Sequence, residues 1–312
     1  MMLDRLLRPV SDLLAPPPGL EVDFATPPGA PALVAPDSLS WRIFANGLTL
    51  FVGGVCAVIL ELAEPSVRAG VWDHSSFRRD PMQRLRRTGM AAMITVYAPR
   101  EEAAAMIARV NAMHAKVRGS LPGGGQYRAD DPRLLDWVQA TASFGFIEAY
   151  SQYAHALSPH DKSRAFAEAQ PAARLYGAQG APRSLAEWNG LLEATLPTLE
   201  PSETLNEFLN IMRTAPIFPR PMQPVQRLLV RAAVSILPGP VRRQLQLQEM
   251  ELPTAGRPVV QALAAAASHM LPSTAPQLQA RKRMHGAPVC PVRMNSRSVE
   301  AHNPSCGNHG SA

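Results

Sequence analysis

Between Arg42 and Glu61 the chain reads IFANGLTLFVGGVCAVIL, with no charged residue. Such a run has two stable homes, the middle of a protein core or the hydrocarbon of a bilayer, and about eighteen apolar residues is the lower limit for crossing one. Asn46 and three glycines interrupt the run, and no cluster of Lys or Arg marks one flank. A buried core helix is therefore the expectation, with a membrane span as the alternative.

The rest of the chain has to cover that run. Hydrophobic residues make up 46% of the 312 and charged ones 18%, which is a globular composition able to build a sizeable core. Lys and Arg outnumber Asp and Glu by 31 to 25, but the charges are scattered and aromatics are only 6%, so nucleic acid is not an expected partner. Cys56, Cys290 and Cys306 form no CxxC pair, which argues against a disulfide framework or a thiolate zinc site and for a reducing, cytoplasmic setting. The opening MMLDRLLRPVSDLLAPPPG carries Asp4 and Asp12 and breaks at prolines, so no secretory signal is expected.

Punctuation by proline, glycine and capping residues divides the chain. Residues 1–39 read as a Pro-rich lead-in that cannot be helical, and one helical domain is expected over 40–281, its body starting near Ser40. Pro99 with Glu101 and Glu102 opens a helix that Gly119 is expected to close near residue 118. Asp131 before Pro132, Ser158 before Pro159, and Ser184 with Glu187 read as further helix starts. Amphipathic stretches follow at 203–213, 222–237 and 257–270, and strand-like alternation is nearly absent, so the fold class is all-α. From Lys282 the composition turns polar and rich in Pro, Asn and Ser, and 282–312 is expected to be a disordered tail.

The catalytic signatures HExxH, GxSxG, GxxxxGK[ST] and CxxCH are all absent. PGGGQ at 122–126 reads as a loop between helices, and of Asp130 and Asp131 capping explains at least one. In VNAMHAKVRG, residues 110–119, His114 continues the stripe of Ile107 and Val110 toward Val117, opposite Arg109, Lys116 and Arg118. A neutral imidazole in a dry pocket is a good metal ligand, and a hydrogen-bonded core histidine is the alternative. In VWDHSSFRRDPMQRLRRTG, residues 71–89, Arg84 and Thr88 stand four apart with Arg87 beside them. They read as an anion-binding face or a plain solvated one. A stripe histidine and an Arg/Thr face with no cysteine ligand would suit non-covalent haem.

Four segments, GGVCAVILELAEPSVRAGVWDHSSFRRDPMQRLRRTG, VNAMHAKVRG, YRADDPRLLDWVQAT and RAAVSILPGPVRRQL, keep an order that resembles the bacterial branch of the mpaB and latex-clearing-protein (rubber oxygenase) catalytic domain family, over residues 40–250. The resemblance implies an all-helical fold around one haem b and an oxygenase activity that uses O2 on a small lipophilic, alkene or isoprenoid-like substrate. It implies His114 as the iron ligand, Arg84 and Thr88, with Arg87, beside the haem, and His74 as a candidate for the distal side. Many relatives carry histidines where this chain has Glu64 and Gln139. Glu61 and Glu64 are nearby possibilities for a catalytic base. Two other readings stay open: a haem- or lipid-binding module without turnover, and a protein with peripheral membrane contact.

Overall fold

The computed structural model describes residues 17–74, 76–121, 123–269 and 271–285. In chain order its helices are α1 (Leu39–Ile43), α2 (Gly47–Ala63), α3 (Pro65–His74), α4 (Pro81–Tyr97) and α5 (Arg100–His114), followed by an antiparallel pair of short strands, β1 (Arg118–Ser120) and β2 (Gln126–Arg128). Then come α6 (Pro132–Tyr153), α7 (Pro159–Glu168), α8 (Gln170–Leu175), α9 (Leu185–Thr195), α10 (Glu203–Thr214), α11 (Gln223–Ser235), α12 (Gly239–Gln244), α13 (Gly256–His269) and α14 (Pro276–His285). Apart from the strand pair, the regular structure is helical.

The uncharged run becomes α2, and Asn46 decides where that helix begins. Its side-chain oxygen accepts from Thr49 N at 3.0 Å, and its amide donates at 2.8 Å to both Ala264 O and Ser268 Oγ on α13. One polar residue thus caps α2 and ties its start to the far end of the domain. Val52, Cys56, Ile59, Leu60 and Leu62 are fully buried, so α2 is a core helix. Among the described residues no single helix is long and apolar enough to cross a membrane, and α2 with α3, which together carry enough apolar residues, are bent by 110°.

The most extensive helix contact is between α2 and α6, and glycine makes it possible. A methyl group at Gly53 would sit 2.7 Å from the carbonyl oxygen of Gly145, and one at Gly145 would strike the Gly53 carbonyl in return. Only hydrogen at both positions lets the two backbones touch. Trp137, Phe144 and Trp188 stack beside this contact, with centroids 5.9 Å and 4.6 Å apart, and α10 and α11 close over it to complete the larger core.

A second core gathers Met90, Ile94 and Tyr97 of α4, Met106 and Ile107 of α5, Trp41 of α1 and Ala280 of α14. The segment before Leu39 is irregular, as its prolines require, but Phe24, Ala32 and Val34 are buried in this core. The packed body therefore starts well before Ser40. The boundary expected at Lys282 also falls inside packed structure, since Lys282 to His285 close α14 and Arg283 is only 1% exposed. Its guanidinium donates to Phe24 O, Ala30 O and Tyr97 O at 2.7–2.9 Å, so one cation saturates three carbonyls from segments far apart in sequence. Residues 1–16 and 286–312, which hold most of the tail, Cys290 and Cys306, lie outside the described residues.

Asp131, Ser158 and Ser184 cap their helices as expected, accepting from Arg133 N, Asp161 N and Glu187 N at 2.9, 3.1 and 3.1 Å. The helix expected to run to residue 118 instead stops at His114, and Gly119 does not cap it. Gly119 lies in β1 opposite Tyr127, where any side chain would press within 2.6 Å of the Tyr127 hydroxyl. The glycine run expected to link helices turns the strand pair instead, with Gly124 and Gly125 at φ +89° and +94°, a conformation that favours glycine.

Two substitutions test this architecture. Gly53→Ala or Gly145→Ala should cost at least about 2 kcal/mol by overpacking, read as a lower denaturant midpoint with an unchanged slope. Arg283→Met should cost about 3 kcal/mol by stranding buried carbonyls, and the same unfolding curve checks it.

Candidate functional site

Helices α4 and α5 form a hairpin joined through Ala98 and Pro99, with Arg100 N donating to Pro31 O at 2.8 Å. Asp80 starts α4 by accepting from Gln83 N at 3.0 Å, with Pro81 in the first turn. Because the two helices run antiparallel, the first turns of α4 lie beside the last turns of α5. Arg84 and His114 are therefore brought together although thirty residues apart in sequence. The C-terminal part of α2 supplies Glu61 to the same region.

These three groups form one electrostatic unit. Burial, then the cation of Arg84, hold the His114 imidazole below its ordinary value, against a weaker pull from Asp130, so the ring is neutral at neutral pH. Burial pushes the Glu61 carboxyl up from 4.5 to about 7, with the Arg84 cation opposing the shift. Burial also lowers the Arg84 guanidinium, which the Glu61 carboxylate partly restores and Arg87 lowers further. No hydrogen bond or ion pair satisfies the side chain of either Glu61 or Arg84 among the described residues.

One unspent polar atom belongs to this unit, Nδ1 of His114. Of the buried side-chain polar atoms without a partner, Trp72 Nε1, Arg86 Nε, Asn111 Oδ1 and His114 Nδ1 lie on the successive helices α3, α4 and α5, and Arg231 Nε is the exception. Buried polar groups ordinarily find partners, so the free Nδ1 of His114 marks a place where a further group can be received. The described residues contain no set of three or more His, Cys, Asp or Glu able to hold a bare metal ion. Haem asks less of the chain: one neutral imidazole for iron and cations for its carboxylates. His114 and Arg84 fit that demand, His114 with a buried nitrogen unpaired and Arg84 with no acidic partner in contact.

The other expected residues are placed less centrally. Thr88 shares the face of Arg84 by spacing, but Thr88 and Arg87 are both exposed. His74, at the exposed end of α3, places Nε2 3.1 Å from the hydroxyl of Tyr127 on β2, and no contact joins it to Arg84 or His114. Glu64 is committed elsewhere: it accepts from Val67 N at 2.8 Å at the start of α3 and meets Arg133 at 3.4 Å. That leaves Glu61 as the carboxyl facing the site. Asp130 is bound by Arg128 at 2.8 Å. Half-buried Gln139 makes no side-chain hydrogen bond among the described residues.

Asn111 is not singled out by the sequence analysis. For Asn111 a signal existed, because it precedes His114 by three and so shares its helix face. A cleft of about 640 Å³ lies elsewhere, lined by Phe144, Trp188 and Arg257 among others, and its charges are largely spent in the pairs Glu148–Lys162 and Arg242–Glu251.

The raised Glu61 and lowered His114 make opposite predictions for the protein without bound ligand. A raised carboxyl contributes stability that is full below 4.5 and is lost as pH rises through about 7, so Glu61→Gln should flatten the fall in melting temperature across that window. A lowered imidazole contributes stability present above 6.5 and lost as pH falls, so His114→Gln should make the acid side shallower. Melting curves at stepped pH check both.

Comparison with protein families matches residues 41–269 to the family described as ER-bound oxygenase mpaB/B'/Rubber oxygenase, catalytic domain. No curated protein and no solved structure gives a significant match. The matched segment runs from α1 to the end of α13 and so includes Glu61, Arg84 and His114. Covering most of the chain, the match makes this protein a member of the mpaB and rubber oxygenase catalytic domain family.

Proposed function

We propose that the protein is a haem b-dependent oxygenase-like oxidoreductase that uses O2 on a small lipophilic substrate, an alkene or isoprenoid-like molecule, in a cytoplasmic setting. Membership of an oxygenase family supports the oxygenase role. The observation that carries the cofactor reading is the buried, unpartnered Nδ1 of a neutral His114 facing Arg84, whose guanidinium has no ion pair among the described residues.

In this reading His114 holds the iron through its neutral imidazole. Bound haem supplies an iron centre that can activate dioxygen toward a carbon–carbon double bond. Arg84, poorly solvated and unpaired, offers positive charge to haem carboxylates or to charge that develops during reaction. Arg87 and Thr88, exposed on the same helix, suit the polar edge of the group. Glu61, with its carboxyl near neutrality, can accept or release a proton at working pH, the requirement for a general acid or base. His74, its ring oriented by Tyr127, would be a further candidate to approach the group.

One observation favours a second reading, a haem- or lipid-binding module without turnover. Glu64 stands where the family resemblance implies a histidine, and its carboxylate is occupied by the start of α3 and by Arg133.

The absorption spectrum of purified protein, oxidised and then reduced under carbon monoxide, tests the cofactor. A Soret band should appear in the wild type and be lost or displaced in His114→Ala; a wild type that shows no band even after haem is added overturns the reading. Glu61→Gln should keep the band and slow oxygen consumption with a lipophilic alkene about 100-fold. Haem-loaded wild type that consumes no oxygen with any such substrate would establish the module without turnover.

A further inference from the structure

Helices α6 and α9, the end of α11 and the segment that leads into α13 enclose the cleft of about 640 Å³, and none of its described lining residues belongs to α3, α4 or α5. It is therefore separate from the place where Arg84 and His114 meet. Its volume lies in the range that takes a small organic molecule. Phe144, Trp188, Ile236 and Leu237 line it, and all four are buried, so its floor is apolar.

Charge in the cleft does not balance. Its ionised lining residues are Glu148, Arg242, Glu251 and Arg257. Lys162, from outside the lining, binds Glu148, and Arg242 binds Glu251 at 2.6 Å. Both carboxylates are spent, and Arg257 is left over. One amino group of Arg257 donates to Gln152 Oε1 at 2.6 Å, and Gln152 Nε2 in turn donates to Glu148 Oε1 at 2.8 Å. That chain holds the guanidinium in the lining, while its remaining N–H groups have no partner among the described residues. The first turn of α13, where Arg257 stands, contains no acid.

A second unspent donor lies in the buried wall. Trp188 is only 1% exposed and makes no side-chain hydrogen bond among the described residues. Its indole N–H is not one of the sealed unpartnered atoms, so it opens on the space that Trp188 lines. An apolar floor below a surplus cation complements an organic acid with a hydrocarbon body. We propose that the cleft binds a hydrophobic monocarboxylate, its carboxylate on Arg257 and its hydrocarbon against Phe144, Trp188, Ile236 and Leu237. The site does not rest on the haem reading, because it shares no residue with it.

Equilibrium dialysis of the full chain against labelled dodecanoate tests it, with unlabelled dodecanol and dodecylammonium as competitors. Both competitors should displace dodecanoate at least about tenfold less well than dodecanoate itself. Arg257→Gln should weaken dodecanoate binding at least about tenfold, and Arg257→Lys less, both at an unchanged melting temperature because the side chain is exposed. Thr254→Trp, which places a bulky ring at an exposed lining position, should weaken it too. His114→Ala should bind dodecanoate like the wild type. Absence of dodecanoate binding overturns the proposal, as does binding that both Arg257→Gln and Thr254→Trp leave unchanged. Dodecylammonium competing as well as dodecanoate would overturn the charge selection, and loss of binding in His114→Ala would move the acid to the candidate haem site.

Discussion

The contact of Gly53 with Gly145 is the constraint around which the other elements arrange themselves. Two helix backbones that touch cannot slide past one another without driving a carbonyl into a neighbouring Cα, so the axial register of α2 against α6 is set at one point. With that register set, the aromatic stack of Trp137, Phe144 and Trp188 has one place to lie. The C-terminal turn of α2 likewise delivers Glu61 toward α4 rather than to solvent. A carboxyl at the end of a wholly uncharged helix has little water available, and its raised proton affinity follows from its address.

Much of this was legible in the sequence. The uncharged run implied a central helix, and Asp131, Ser158 and Ser184 marked helix starts because capping is local chemistry. What could not be read were facts made by residues distant in the chain. Gly119 looks like a helix terminator until Tyr127 folds across it, and Glu64 looks available until Arg133 and the start of α3 claim it. Helical spacing likewise puts Arg84 and Thr88 on one face, but only packing draws Arg84 inward and leaves Thr88 exposed. His114 was visible as a residue on an inward stripe; its unpartnered nitrogen belongs to the folded state.

The family match and the packed body have different limits. Residues 41–269 match the family, but the core beneath Arg84 and His114 also uses Phe24, Ala32 and Val34 before that segment and Ala280 after it. Arg283 joins both outlying parts to the end of α4. The helices that carry the candidate site are thus held in part by chain outside the matched segment.

That arrangement holds the two ends of the hairpin by different means. The turn at Ala98 and Pro99 is pinned by Pro31 and by Arg283 bound to Tyr97, whereas the opposite end borders polar atoms that lack partners. Helix α5 has 15 residues and is about 22 Å long. It acts as a strut that sets His114 about 22 Å from the clasp of Pro31 and Arg283, and Asn111, donating to Leu175 O at 2.7 Å, steadies the far end.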